Sequence, residues 1–308
     1  MGKIKTAEEW FKKGYEYDTI EADSYSAISA YKKALELDST FVDAYANLGF
    51  IYLQMEDYES AVETFSKMVE MEPDNPEAYN NLGYAYEELG RFGSAKQMYE
   101  LALELNPKHI ETIISIAHIL DLQGEYEGAV SHYKKAIELN PKAVARQFCL
   151  AVLYDMHDMF DDAIGCYERV LQLDPIHVEA LFNVGNLYVL CGNYKRAMEY
   201  FIRVLGLTPY DAKVWNNLGY TYEEIGKHKE AASAYQKSLS LDSFQEEAHF
   251  NLARIEYLQN QLSLDDIEKE EIIRKLHYVM SVNPRHTQAG QLLKKLETQI
   301  IEKPRGNS

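Results

Sequence analysis

Six alanines, Ala61, Ala95, Ala129, Ala163, Ala197 and Ala231, follow one another at intervals of 34 residues. Five prolines, Pro73, Pro107, Pro141, Pro175 and Pro209, keep the same interval. A period of that length means one supersecondary unit copied along the chain. One unit cannot bury its own apolar face, so neighbours must stack and share a continuous core. The expected product is an array with a long surface, better suited to holding a partner than to enclosing a reaction.

The stretch from Val42 to Asn75 shows how one unit folds. Tyr45, Leu48, Gly49 and Tyr52 recur at helical steps, and Met55-Glu56-Asp57 makes a short polar break. A second stripe follows in Tyr58, Ala61, Phe65, Met68 and Met71. Pro73 ends it, because proline cannot continue a helix and disfavours helix in the residue before it. Gly49 and Ala61 are small where the two helices must cross closely.

These residues resemble the tetratricopeptide repeat family, a helix–turn–helix pattern with W-x2-L-G-x2-Y, A-x3-F and a closing proline. Trp215-Asn-Asn-Leu218-Gly219-Tyr-Thr-Tyr222, followed by Ala231-x3-Tyr235, is that pattern nearly letter for letter. Tyr79-Asn-Asn-Leu82-Gly83-Tyr-Ala-Tyr86 repeats it with Ala95-x3-Tyr99 and Pro107. The resemblance implies an all-α fold: a right-handed α-solenoid of about eight helix-turn-helix units with a C-terminal capping helix. A single array over 7–302 is expected, with units near 7–41, 42–75, 76–109, 110–143, 144–177, 178–211, 212–245 and 246–284. The cap helix falls at 285–302, on the stripe Ala289, Leu292, Leu293, Leu296 and Ile300, and residues 303–308 form a disordered tail. The first unit has one extra residue in its turn, and Ser39 and Ser243 replace proline in the first and seventh. The eighth has His249 and Glu256 at aromatic places and gains seven residues inside Gln261–Ile273, read as a polar loop or a lengthened helix.

In this family the outer side of each first helix lines a concave wall, which is ordinarily charged and polar. Here parts of it are apolar: Ile114 and Leu122, then Phe148, Val152 and Met156, then Phe182, Val189 and Leu190. Phe50 and Leu53 add to it in the second unit, and Phe250, Tyr257 and Leu258 in the eighth. Such a strip marks a contact site if it is exposed. The competing reading is that neighbouring helices cover these side chains. The third and seventh units instead carry Tyr84, Glu87, Glu88 and Tyr220, Glu223, Glu224 at matching places. They are expected to face each other across the groove as acidic patches, unless both units simply stay near the family consensus.

Asparagine recurs at one wall place, in Asn47, Asn81, Asn183, Asn217 and Asn251, interrupted by Ser115 and Cys149. The spacing is similar to the asparagine ladder of O-linked N-acetylglucosamine transferases, where side-chain amides hydrogen-bond the backbone of an extended peptide. An amide both donates and accepts, so it can read main chain. Alternatively, each amide bonds its neighbouring repeat. Asn186, His118 and Arg254 complete the candidate groove.

Composition narrows the partners. The formal net charge is −18, which disfavours nucleic acid and anionic membrane surfaces and favours a basic or amphipathic protein or peptide. No apolar run approaches the roughly 20 residues that span a bilayer, and the first residues lack the apolar core of a signal peptide. Cys149, Cys166 and Cys191 show no CxxC spacing and read as reduced cysteines of a cytoplasmic protein. Lys12, Lys213 and Arg254 are too scattered among acids for the family's clamp on chaperone C-termini. The nine histidines show no metal spacing. There is no glycine-rich phosphate loop, and no surroundings that would activate Cys149 as a nucleophile. No cofactor is expected. The sequence therefore predicts a non-enzymatic interaction scaffold, with a self-assembling structural protein as the alternative.

Overall fold

The computed structural model describes residues 6–260 and 264–301. Among them are seventeen helices, paired along the chain. The pairs are α1 (Ala7–Thr19) with α2 (Ser24–Leu37), α3 (Val42–Gln54) with α4 (Tyr58–Met71), α5 (Pro76–Glu88) with α6 (Phe92–Leu105), and α7 (Ile110–Leu122) with α8 (Tyr126–Leu139). They continue with α9 (Val144–Met156) and α10 (Phe160–Leu173), α11 (Val178–Leu190) and α12 (Tyr194–Leu207), and α13 (Ala212–Glu224) and α14 (His228–Leu241). The last are α15 (Glu246–Asn260), α16 (Asp266–Val282) and α17 (Thr287–Ile301). The fold is an all-α solenoid, and the chain divides into two compact units, 1–146 and 147–308.

All six periodic alanines are completely buried. Each sits where a second helix passes its own first helix. The aromatic residue one turn later, Tyr31, Phe65, Tyr99, Tyr167, Phe201 or Tyr235, is also fully buried. Burying a side chain of that size contributes about 1.5–3 kcal/mol. For five of the six it fits because the first helix offers a glycine opposite the ring; the repeat of Tyr167 has Ala151 at that place. A Cβ on Gly49 would stand 2.6 Å from the Phe65 ring, and one on Gly83 2.6 Å from Tyr99. The sequence reading of Gly49 as a close crossing is thus met in atomic terms.

The short breaks between paired helices need one left-handed residue. Gly90, Gly124, Gly192 and Gly226 supply it at φ 73, 76, 71 and 79°, while Ala22, Glu56 and Asp158 adopt it without that freedom. The following helix is then capped, as by Asp57 and Asn193, whose side chains accept from backbone N–H groups of the first turn.

The insertion in the eighth repeat lengthens helices. α16 has 17 residues where its counterparts have 14, and Asp265 and Glu268 form a capping box at its start. Residues 261–263 lie outside the described ones. His249 packs against the Tyr278 ring and hydrogen-bonds the Ser243 carbonyl through Nε2 at 3.0 Å, and Glu256 pairs with Lys275 at 2.7 Å. α17 closes this end: Ala289 and Leu296 are buried, and Leu292 and Leu293 pack against Phe250, Tyr257, Ile272, Leu276 and Val279. The expected tail 303–308 and the side chain of Ile300 lie outside the described residues.

Candidate functional site

A polar relay runs through most repeats, and it decides what the wall can do. Counting from the start of the first helix, an acid at the twelfth place goes with tyrosine at the twenty-fourth: Glu87 with Tyr99, Asp121 with Tyr133, Asp155 with Tyr167, Glu223 with Tyr235. Asp18 and Tyr31 make the same pair in the first repeat. Where the ring is phenylalanine, the partner is apolar: Leu53 with Phe65, Val189 with Phe201. The Tyr99 hydroxyl donates to Glu87 at 2.7 Å and that of Tyr235 to Glu223 at 3.0 Å. Burial, and then the neighbouring carboxylate, push both phenols well above the ordinary tyrosine range, so they remain protonated donors. Burial likewise raises the Asp155 carboxyl.

The next repeat completes the relay. Glu87 Oε1 takes the His118 ring at 2.6 Å, and Glu223 Oε2 takes Arg254 Nη2 at 2.8 Å. His118 and Arg254 hold the same place in their helices. Glu87 and Glu223 are each only 11 % exposed. They are therefore inter-repeat joints rather than free acids, which corrects their expected place in two acidic surface patches. A half-buried carboxylate is retained because two polar groups share it. Glu88 and Glu224 are exposed, as the patches require. Glu87 and Glu88 belong to the first compact unit, Glu223 and Glu224 to the second.

The asparagines are tied up in the same way. Asn47 donates to the Tyr31 hydroxyl at 3.1 Å and Asn183 to the Tyr167 hydroxyl at 2.9 Å. Asn217 donates to Asn186 at 2.9 Å and Asn251 to Asn216 at 3.2 Å. In each case one amide N–H links a repeat to the one before. Ser115 hydrogen-bonds Tyr99 from the same place, so the interruption there keeps the function of the row. Asn81 follows Phe65, which has no hydroxyl, and is buried. The neighbour-bonding alternative thus describes four of the five asparagines. Each amide still carries a second N–H and its carbonyl oxygen.

In the first unit, Phe50, Tyr84 and Leu122 are exposed and Ile114 is half-buried. Phe50 leans edge-on against Phe65 at 5.5 Å. In the second, Phe148, Val152, Phe182, Val189 and Tyr220 are half-buried, while Met156, Leu190 and Leu258 are exposed. Phe148 stacks on His177 at 4.9 Å and Phe182 tilts over Phe201 at 6.2 Å. Two expected wall residues are not open: Phe250 is 7 % exposed and Tyr257 4 %. The capping helix and α16 cover them, an effect of the insertion that repeat spacing alone did not convey.

Around Phe250 the second unit forms a cleft of about 440 Å³. Val189, Leu190 and Phe250 give it an apolar side, and Asn186, Asn217 and Asn251 a polar one. It reaches these residues because Val189 and Phe201 replace the acid and tyrosine of the relay, leaving no carboxylate at this wall position. Tyr220, Glu247 and His286 complete the lining. An adjoining cleft of about 460 Å³ shares Asn216, Asn217 and Glu247 and continues to Phe182 and Lys213. His286 was not among the expected residues. Its ring lies 4.4 Å from Phe250, and its Nδ1 accepts from the Ala289 N–H. The signal was present: Pro107-x-His109, Pro175-x-His177 and Pro284-x-His286 repeat one helix-starting motif. The inserted residues put the last copy out of step.

Among the described residues no group of three or more His, Cys, Asp and Glu side chains is placed to hold a metal ion. Nor is any helix among them long and apolar enough to cross a membrane.

Comparison with known proteins agrees with this geometry. Models described as TPR repeat match residues 26–56, 51–90 and 117–157, and models described as tetratricopeptide repeat match 76–109 and 216–264. A model of anaphase-promoting complex, cyclosome, subunit 3 matches 156–238. No curated protein sequence matches the chain at a significant level. Among solved structures, the C-terminal part of a TPR repeat-containing protein from Cytophaga hutchinsonii is similar at a TM-score of 0.66 and 16 % identity, over 80 % of this chain and 98 % of that one. A tetratricopeptide repeat protein from Parabacteroides merdae is similar at 0.53 and 20 % identity, over 83 % and 98 %. YrrB, described as a TPR protein with an unusual peptide-binding site, is similar at 0.53 and 22 % identity, over 64 % and 97 %. At these identities the likeness concerns the fold. Repeat period, buried alanine–aromatic pairs and matching family models together place the chain in the tetratricopeptide repeat family.

Proposed function

We propose that this protein is a non-enzymatic interaction scaffold that takes an extended peptide or partner helix on the wall of its second unit. The observation that carries the proposal is the cleft around Val189, Leu190 and Phe250. An apolar side with a few convergent polar groups is the usual make-up of a ligand site. Leu190 is 66 % exposed and adjoins Val189 on the apolar side of the cleft, so the apolar surface there is more than one scattered side chain. The remaining amide capacity of Asn217 and Asn251 suits a peptide backbone. Exposed Glu224 and Glu247, in a chain of net charge −18, favour a basic or amphipathic guest. The peptide-binding site in the description of YrrB, a protein of similar fold, is consistent with this reading.

Leu190→Glu tests it, because an exposed residue can be changed without opening the core. Fluorescence anisotropy with basic amphipathic peptides chosen from an array should show at least tenfold weaker binding to the variant, with an unchanged thermal midpoint. Equal binding by both proteins would refute the cleft as the site.

A further inference from the structure

The turns between repeats carry a second surface, away from the wall. The residue after the turn proline is Thr40, Asp74, Lys108 or Lys142 in the first unit. In three consecutive repeats of the second unit the same place holds Ile176, Tyr210 and Phe244. These are 65, 79 and 78 % exposed, among the most exposed large apolar residues of the protein. Scattered apolar side chains on a surface are ordinary, but three in register make a patch.

A basic row stands beside them. Arg203 on α12 donates to the carbonyl of Pro175, next to Ile176, at 3.1 Å. Tyr278 on α16 holds the matching place and donates to the carbonyl of Phe244 at 3.1 Å. The residue at this place on α14 is Lys237, and on α10 it is Arg169; both are exposed. Three acids on this side are engaged. Glu168 accepts from Tyr188 and Tyr200 and faces Arg196 at 3.7 Å, while Asp174 and Asp242 accept the N–H groups of Ile176 and Phe244. A cleft of about 470 Å³ opens at Ser243, next to Phe244 in sequence, and its lining carries both signs, in Arg274 and Lys275 and in the exposed Glu271.

We infer that Ile176, Tyr210 and Phe244 form a docking ridge for an amphipathic helix of another protein, apolar at seven-residue spacing and acidic along one flank. Packed helices lie about 8–10 Å apart, and seven residues of helix rise about 10.5 Å. One apolar residue per seven therefore meets one knob per repeat. The acidic flank lies against Arg203 and Lys237, which gives the helix one orientation across the ridge.

The probe is a synthetic helix with leucines every seven residues and glutamates on one flank. A lysine-flanked version of the same helix is the control. Binding is read by fluorescence anisotropy to the whole protein. The acidic helix should bind, and the lysine version at least tenfold more weakly. Ile176→Ser/Tyr210→Ser/Phe244→Ser should lower affinity at least tenfold with unchanged circular dichroism. Arg203→Glu/Lys237→Glu should lower it likewise and remove its salt dependence, while Leu190→Glu leaves it unaltered. No binding at millimolar concentration, equal binding by the triple variant, or preference for the lysine helix would overturn the assignment. Self-association of the wild type that the triple variant loses would also overturn it, by giving the ridge to a second copy.

Discussion

At the scale of single residues, the array depends on how a ring meets the helix facing it. A Cβ on Gly185 would stand 2.7 Å from the Phe201 ring, whereas one on Gly165 meets nothing within 4 Å. Gly185→Ala should therefore cost about 1–3 kcal/mol through overpacking. Gly165→Ala, in the middle of α10, should gain about 0.5–1 kcal/mol by removing glycine's excess freedom. Urea denaturation midpoints check both, and equal shifts would contradict the close crossing. The relay makes a second prediction. Tyr99→Phe leaves Glu87 short of one donor and should cost about 1–3 kcal/mol. Adding Glu87→Leu recreates the pairing of Phe65 with Leu53, so the double variant should cost less than the sum of the two single changes. Strict additivity in the double-mutant cycle would contradict a coupled pair.

At the scale of elements, repeats are joined by side chains that reach from one first helix to the next. The bond between His118 on α7 and Glu87 on α5 is one such joint, and the carboxylate raises the His118 pKa. Glu88 and Asp121 add to the rise, against the opposing effect of burial. With the folded value above the unfolded one, about 6.5, the stabilisation is complete below that pH. It is lost as pH rises through the folded value. The difference in denaturation midpoint between wild type and His118→Gln should be largest near pH 6 and shrink towards pH 9, about the range in which imidazole titrates. A difference that stays flat with pH would contradict the joint. Helices, turns and the order of pairs were legible in the sequence because period, alanine, glycine and proline each have one mechanical role. The relay was less so. Glu87 and Glu223 look like surface acids, and only their agreement with Tyr99 and Tyr235, against Leu53 with Phe65, shows otherwise. Phe250 was misplaced because its cover comes from α16 and α17, beyond the regular period.

At the scale of the whole molecule, two compact units carry walls of different chemistry. The first keeps the acid–tyrosine pair in three of its four repeats and exposes Tyr84 and Glu88. The second replaces the pair by Val189 and Phe201 at one repeat, and there the wall becomes apolar enough to form a cleft. The array is thus uniform in its core and specialised on its surface, as expected when neighbouring repeats supply stability and exposed positions are free to vary. Methyl NMR of the whole protein, titrated with a peptide selected by display against the folded chain, examines this directly. The Val189 and Leu190 methyls should shift in wild type, and Leu190→Glu should abolish the response of Val189. Saturating peptide that leaves both methyls unmoved while signals elsewhere shift would show that the guest binds somewhere other than this cleft.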